Sequence, residues 1–89
     1  MAQYKANYKT YIVNTNTTIR QTGFSAISFE NIGTDDAVIN NVIPCDNTGV
    51  ARSFEEKPYV IIESNFNLTF AGASTDKRIL VVETYYTEI

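Results

Sequence analysis

Apolar and polar residues alternate with a period of two along much of the chain. Ile27 and Phe29 fall on one face of an extended segment, with Ser28 and Glu30 on the other. Further on, Phe66, Leu68 and Phe70 point one way while Asn67 and Thr69 point the other. Successive side chains of a strand face opposite ways, so this pattern marks half-buried strands. Helical stripes of apolar residues are missing. Tyr4, Tyr8 and Tyr11 do sit at helical spacing, but Asn7, Thr10, Thr15 and Asn16 around them are weak helix formers. This stretch reads as an extended arm running into a strand at Tyr8–Val13.

Turn residues divide the rest of the chain. Asn14-Thr15-Asn16 is a turn, because Asn side chains bond their own backbone and tolerate unusual dihedrals. A long strand is expected from Thr18 to Ile32, with Gly23 as a bulge or bend. After the turn cluster Asn31–Asp36, a strand at Ala37–Ile43 ends at Pro44, which cannot donate to a ladder. The loop Pro44–Gly49 leads to a short edge strand at Val50–Phe54, then a charged turn, Glu55–Pro58. Tyr59–Glu63, Phe66–Phe70 and Arg78–Thr87 complete the set. About seven short strands joined by turns predict an all-β fold, a small antiparallel β-sandwich or barrel. Residues 1–11 form an N-terminal arm and residues 12–89 a single β-sandwich domain.

The last strand departs from simple alternation. Ile79-Leu80-Val81-Val82 is apolar on both faces, and Tyr85-Tyr86 repeats this with aromatics. Such a strand is either central and buried on both sides, or it has one face in the core and one against another subunit. A chain of 89 residues buries only roughly 60–65% of its unfolded surface. Covering one strand on both sides is hard at that size. Tyrosines are also enriched at interfaces, because the ring buries area while the hydroxyl stays paired. The arm, with Tyr4, Tyr8 and Tyr11, is either frayed or laid along the exposed edge of a neighbour. The candidate interface residues are Tyr4, Tyr8, Tyr11, Leu80, Val82, Tyr85 and Tyr86.

Composition narrows the chemistry. The net charge is −3, and Lys77-Arg78 is the only adjacent basic pair. Gripping nucleic acid takes several phosphate-neutralising cations in one patch, so no nucleic-acid partner is expected. The chain has no histidine and one cysteine, Cys45. Nucleophile–histidine chemistry in its common form is therefore excluded, and so are the usual zinc and iron sites. Cys45 reads as a loop or half-buried thiol without a role; the sharper alternatives are an interchain disulfide or a nucleophile. The acidic pairs Asp35-Asp36 and Glu55-Glu56 lie in turns and read as solvated, and loop calcium at Asp35-Asp36 or Asp46-Asn47 is only weakly indicated. No catalytic residue, metal site or cofactor is expected. No run approaches the ~18 apolar residues of a membrane span. The N-terminus has no apolar signal region, so no membrane partner and no secretion are expected.

The segment Ile27-Ser28-Phe29-Glu30-Asn31-Ile32-Gly33-Thr34, followed by the short strand Ala37–Val42 and closed by Ile79–Tyr86, resembles small β-rich virion proteins of tailed bacteriophages. Those proteins carry a Phe-x-Asn-x-Gly-Thr strand-and-turn and often close with an aliphatic strand ending in aromatics. The likeness runs from residue 24 to the end. It departs at Pro44–Gly49, where a tighter glycine-containing turn is the pattern. It implies a non-enzymatic structural protein, such as a capsid decoration, head-fibre or tail-associated subunit. Such a protein is assembled in the host cytoplasm and located in the virion, with itself, as a homo-oligomer, or other virion proteins as partners. No catalytic residue carries over. A carbohydrate- or receptor-binding β-sandwich module, using the same tyrosines, is the alternative.

Overall fold

A computed structural model describes residues 2–89; Met1, the first residue of the expected arm, lies outside the described residues. The described chain is all-β, with no helix. Its eight strands are β1 (Tyr4–Val13), β2 (Thr17–Ile19), β3 (Ala26–Asn31), β4 (Ala37–Ile39), β5 (Ile43–Cys45), β6 (Arg52–Glu55), β7 (Phe66–Phe70) and β8 (Ile79–Glu88). They form two four-stranded sheets, ordered β1-β8-β3-β6 and β2-β7-β4-β5. Every pairing is antiparallel. The arrangement is sandwich-like and is not a closed barrel.

Two expected strands are each split in two, and one is absent. The stretch Thr18–Ile32 becomes β2 and β3, which belong to different sheets. The chain crosses between them over residues 20–25, where Gly23 adopts φ 104°, a conformation that favours glycine. The stretch Ala37–Ile43 folds back on itself at Asn40 and Asn41, with φ of 53° and 66°, and the Val42 N–H bonds the Ile39 carbonyl at 3.2 Å. Asn is among the few residues that enter this region readily. Pro44 therefore does not end the sheet. It sits within β5, an edge strand, where a missing N–H can face away from the ladder. Tyr59–Glu63 is not a strand. Its backbone bonds run instead to a turn and a loop, from Val60 N–H to the Lys57 carbonyl and from Ile62 N–H to the Phe24 carbonyl, both at 2.9 Å. From Tyr4 onward the expected arm is part of β1, paired along its full length with β8.

The core lies between the two inner faces. Ile27 and Phe29 of β3 and Ile79 and Val81 of β8 meet Ile39 of β4 and Phe66, Leu68 and Phe70 of β7. Phe66 is the hub. Its ring centroid lies 5.0 Å from Phe54, 5.5 Å from Phe29 and 6.3 Å from Phe24, tilted contacts of the kind that add to area burial. The turn after β3 is docked on the chain before β8. Ile32 and Gly33 N–H groups bond the Arg78 carbonyl at 3.0 and 3.2 Å, and those of Thr34 and Asp35 bond the Asp76 carbonyl at 2.9 and 3.1 Å.

The molecule is elongated, 49 × 20 × 17 Å, with a radius of gyration of 13.9 Å, against about 12 Å for a compact chain of this length. β3 pairs with β8 only as far as Thr84. Beyond it, Tyr85–Glu88 pair with residues 4–7 of β1 alone, a two-stranded extension of about 13 Å.

Gly33 tests the docked turn. A Cβ there would stand 2.3 Å from the Asp76 carbonyl oxygen and 2.8 Å from the Arg78 nitrogen, both backbone atoms. Gly33→Ala is expected to lower the unfolding free energy by about 1–3 kcal/mol, measured by urea denaturation. An unchanged midpoint would show that the turn does not pack this closely.

Candidate interface on the β1–β8 ribbon

The register of β1 against β8 sorts the tyrosines. Tyr11 lies opposite Val81, and Val13 opposite Ile79. Val81 and Ile79 are fully buried, so these pairs lie on the inner face, together with Lys9 opposite Glu83 and Asn7 opposite Tyr85. The intervening pairs, Ile12–Leu80, Thr10–Val82, Tyr8–Thr84, Ala6–Tyr86 and Tyr4–Glu88, lie on the outer face. Of the seven sequence candidates, the fold gathers Tyr4, Tyr8, Leu80, Val82 and Tyr86 on that outer face. Tyr11 and Tyr85 turn to the inner one.

The outer face is open in part. Tyr8 is 68% exposed and Ile12 55% exposed, while Thr84 opposite Tyr8 is buried and Leu80, Val82, Tyr86 and Tyr4 are half-buried. From Ile12–Leu80 to Ala6–Tyr86 the stripe carries no charged side chain; Glu30 beside Leu80 and Glu88 opposite Tyr4 bound it. β8 is thus central in its sheet from Ile79 to Thr84, with an inner face that is covered and an outer face that is covered only in part. Ile12 was not among the sequence candidates, although it has the parity of Tyr8 and was legible on that ground.

The inner face holds a buried carboxylate that the alternation pattern alone did not single out. Glu83 is 3% exposed and accepts hydrogen bonds from the Tyr11 and Tyr85 hydroxyls, and from Thr22 Oγ at 3.4 Å. It shares the parity of Ile79 and Val81, which was the available signal. Burial, the bond to Glu83 and that carboxylate's charge push the Tyr11 hydroxyl far above the ordinary tyrosine range. Burial and the same carboxylate raise Tyr85. The Lys9 ammonium lies 5.6 Å over the Tyr11 ring. Both phenols are thus engaged within their own chain.

Two readings of polar residues are corrected. Asp35 is not a solvated turn acid, being only 1% exposed. Its carboxylate accepts from the N–H groups of Gly72 and Ala73 at 2.9 Å and of Ser74 at 3.0 Å. Burial by itself works to raise its pKa, but those N–H groups and the charge of Lys77 outweigh it and hold the carboxyl below the usual range. Oxygens facing N–H donors are poorly placed for calcium. Cys45 is not a loop thiol but lies in β5, 2% exposed, with burial pushing its pKa up. Neither an interchain disulfide nor nucleophilic attack suits a thiol so enclosed. Between them, buried Asn31 donates to the carbonyls of Asp35 at 2.7 Å and Cys45 at 2.9 Å, and accepts from Gly33 N–H at 3.0 Å.

Two open clefts mark the surface. One of about 330 Å³ lies between Asn40, Phe54, Glu55, Ile62 and Phe66. The other, of about 220 Å³, lies between Asn14, Asn16, Phe70 and Lys77. Neither contains a tyrosine or Glu83. Among the described residues no helix is long and apolar enough to cross a membrane. In comparisons with known proteins, the chain matches no family model, no curated protein and no solved structure.

The Glu83 cluster sets a pH dependence. Tyr11 and Tyr85 hold their protons more tightly folded than unfolded, where tyrosine titrates near about 10. The stability this confers is complete below about pH 10 and is lost as pH rises from there toward the folded values. Tyr11→Phe is expected to cost about 1–3 kcal/mol at neutral pH, as Glu83 loses a donor, and to flatten the alkaline decline in the thermal midpoint. An identical alkaline slope in the variant would refute the assignment.

Proposed function

We propose that this chain is a non-enzymatic structural and assembly subunit of a tailed-phage virion, a capsid decoration, head-fibre or tail-associated protein. It works by burying surface against copies of itself and other virion proteins. The observation that carries the reading is the partly open outer face of the β1–β8 ribbon, with its uncharged stripe through Tyr8 and Ile12, both exposed, and the half-buried Leu80, Val82 and Tyr86. Fully covering a large apolar side chain is worth about 1.5–3 kcal/mol, so a neighbour seated on a few of these gains useful affinity. The virion setting rests on the resemblance of Ile27–Thr34, of Ala37–Val42 and of the closing strand. A carbohydrate- or receptor-binding module is the second reading, favoured by the exposed rings of Tyr8 and of Tyr59, the latter 67% exposed. It is the weaker one, because no tyrosine lines either cleft.

Electron microscopy of the assembled particle is the test. The chain is expected in an ordered array with the outer ribbon face against a neighbouring subunit. Val82→Lys, which puts a charge in the stripe away from the sheet edge, is expected to weaken incorporation by at least about tenfold, equivalent to ~1.4 kcal/mol. A chain seated with this face in solvent, or a glycan-array signal abolished by Tyr8→Ala, would replace the assembly reading.

A further inference from the structure

β1 is the outermost strand of its sheet, beside β8 alone. The Ile89 N–H bonds the Gln3 carbonyl at 2.8 Å, which extends the β1–β8 register by one pair. In an antiparallel ladder, bonded and non-bonded pairs alternate. Odd-numbered residues of β1 therefore bond β8. The even-numbered ones, Tyr4, Ala6, Tyr8, Thr10 and Ile12, turn their N–H and C=O groups to the free edge. At 10 residues this edge is longer than the usual edge strand. It has no proline or bulge to block pairing; its two charges, Lys5 and Lys9, are of the kind that guards strand edges and limit which registers can pair.

We infer that this edge pairs antiparallel with the β1 edge of a second copy of the chain, about a two-fold axis through Tyr8, joining two four-stranded sheets into one of eight strands. The inference deepens the assembly reading and rests on it, naming the partner and the register.

The register follows from side-chain parity and charge. A two-fold normal to the sheet keeps outer faces outer, so even residues oppose even ones and a residue lies on the axis. Centring on Lys5 or Lys9 sets each lysine against its own copy, and centring on Asn7 sets Lys5 against Lys9. Like charges directly opposite are destabilising. Centring on Tyr8 is the longest register free of this. It lets all five outward-facing residues exchange backbone bonds, Tyr8 with Tyr8, Ala6 with Thr10 and Tyr4 with Ile12 of the other copy. On the outer face that gives aromatic–β-branched pairs, the favoured kind. On the inner face Lys5 meets Tyr11 and Lys9 meets Asn7. The lysines thus select the register, and the two apolar stripes become one surface across the axis.

Sedimentation equilibrium and cysteine cross-linking test this on the whole chain. The wild type is expected at twice the 10.0 kDa of one chain. Thr10→Pro, which removes an outward N–H and no bond to β8, is expected to halve that mass with its far-ultraviolet circular dichroism retained. Under oxidised glutathione, Tyr8→Cys is expected to form a disulfide-linked dimer, since paired Cα atoms lie about 5.5 Å apart. Ala6→Cys and Thr10→Cys should link when mixed and not singly. The wild type, whose Cys45 is buried, is the control, and the cysteine set decides the matter if Thr10→Pro does not fold. A dimer that survives Thr10→Pro but is lost in Val82→Lys would overturn edge pairing and leave the assembly reading standing. So would a monomeric wild type with no Tyr8→Cys product, since the particle test is independent. Ala6→Cys linking to itself would overturn the register.

Discussion

The fold turns on the position of β8. This strand bonds β1 on one side and β3 on the other, and it does so while its outer face is covered only in part. From Ile79 to Thr84 its backbone is paired on both sides, which ties the first strand of the chain to β3. Ile79 and Val81 supply the inner face, and Leu80 and Val82 are left on the outer one. The second sheet, with strands of three to five residues, is too small to wrap around and cover both.

Polar groups inside the sandwich specify how the pieces meet. Phe66 gathers rings from three other segments, but aromatic contact tolerates sliding. Asn31, Asp35 and Glu83 do not, because each is buried with defined donors and acceptors and an unmet one costs more than a lost contact. Asn31 and Asp35 tie the turn after β3 to β5 and to the loop before β8. Glu83 ties β1 and the residue Thr22 to β8. The Asn-x-Gly segment at residues 31–33 is therefore accounted for by packing: the Asn bridges carbonyls and the Gly allows the close approach to Asp76.

The same geometry separates the tyrosines by task. Tyr11 and Tyr85 point inward and spend their hydroxyls on Glu83. Tyr4, Tyr8 and Tyr86 point outward on a stripe without charge, beside a long unpaired strand edge. A small two-layer fold can cover its inner faces from both sides, but it has nothing left for an outer one. An assembly subunit is a natural use for that remainder, and the free edge of β1 directs where a neighbour would sit.

Local sequence determined the all-β class, the faces of β3 and β7, and the doubly apolar character of the last strand, because period-two alternation is a property of the strand itself. It also held the parity that groups Ile12 with Tyr8 and Glu83 with Val81. Only the tertiary structure decided the rest. Thr18–Ile32 is shared between two sheets, the Asn40-Asn41 turn reverses the chain with Pro44 inside an edge strand, and Tyr59–Glu63 joins neither sheet. Which side of β1 is inside, and whether Asp35 meets water or three N–H groups, depends on strands and loops tens of residues away. Alternation says that two faces differ; it takes the partner sheet to say which of them is buried.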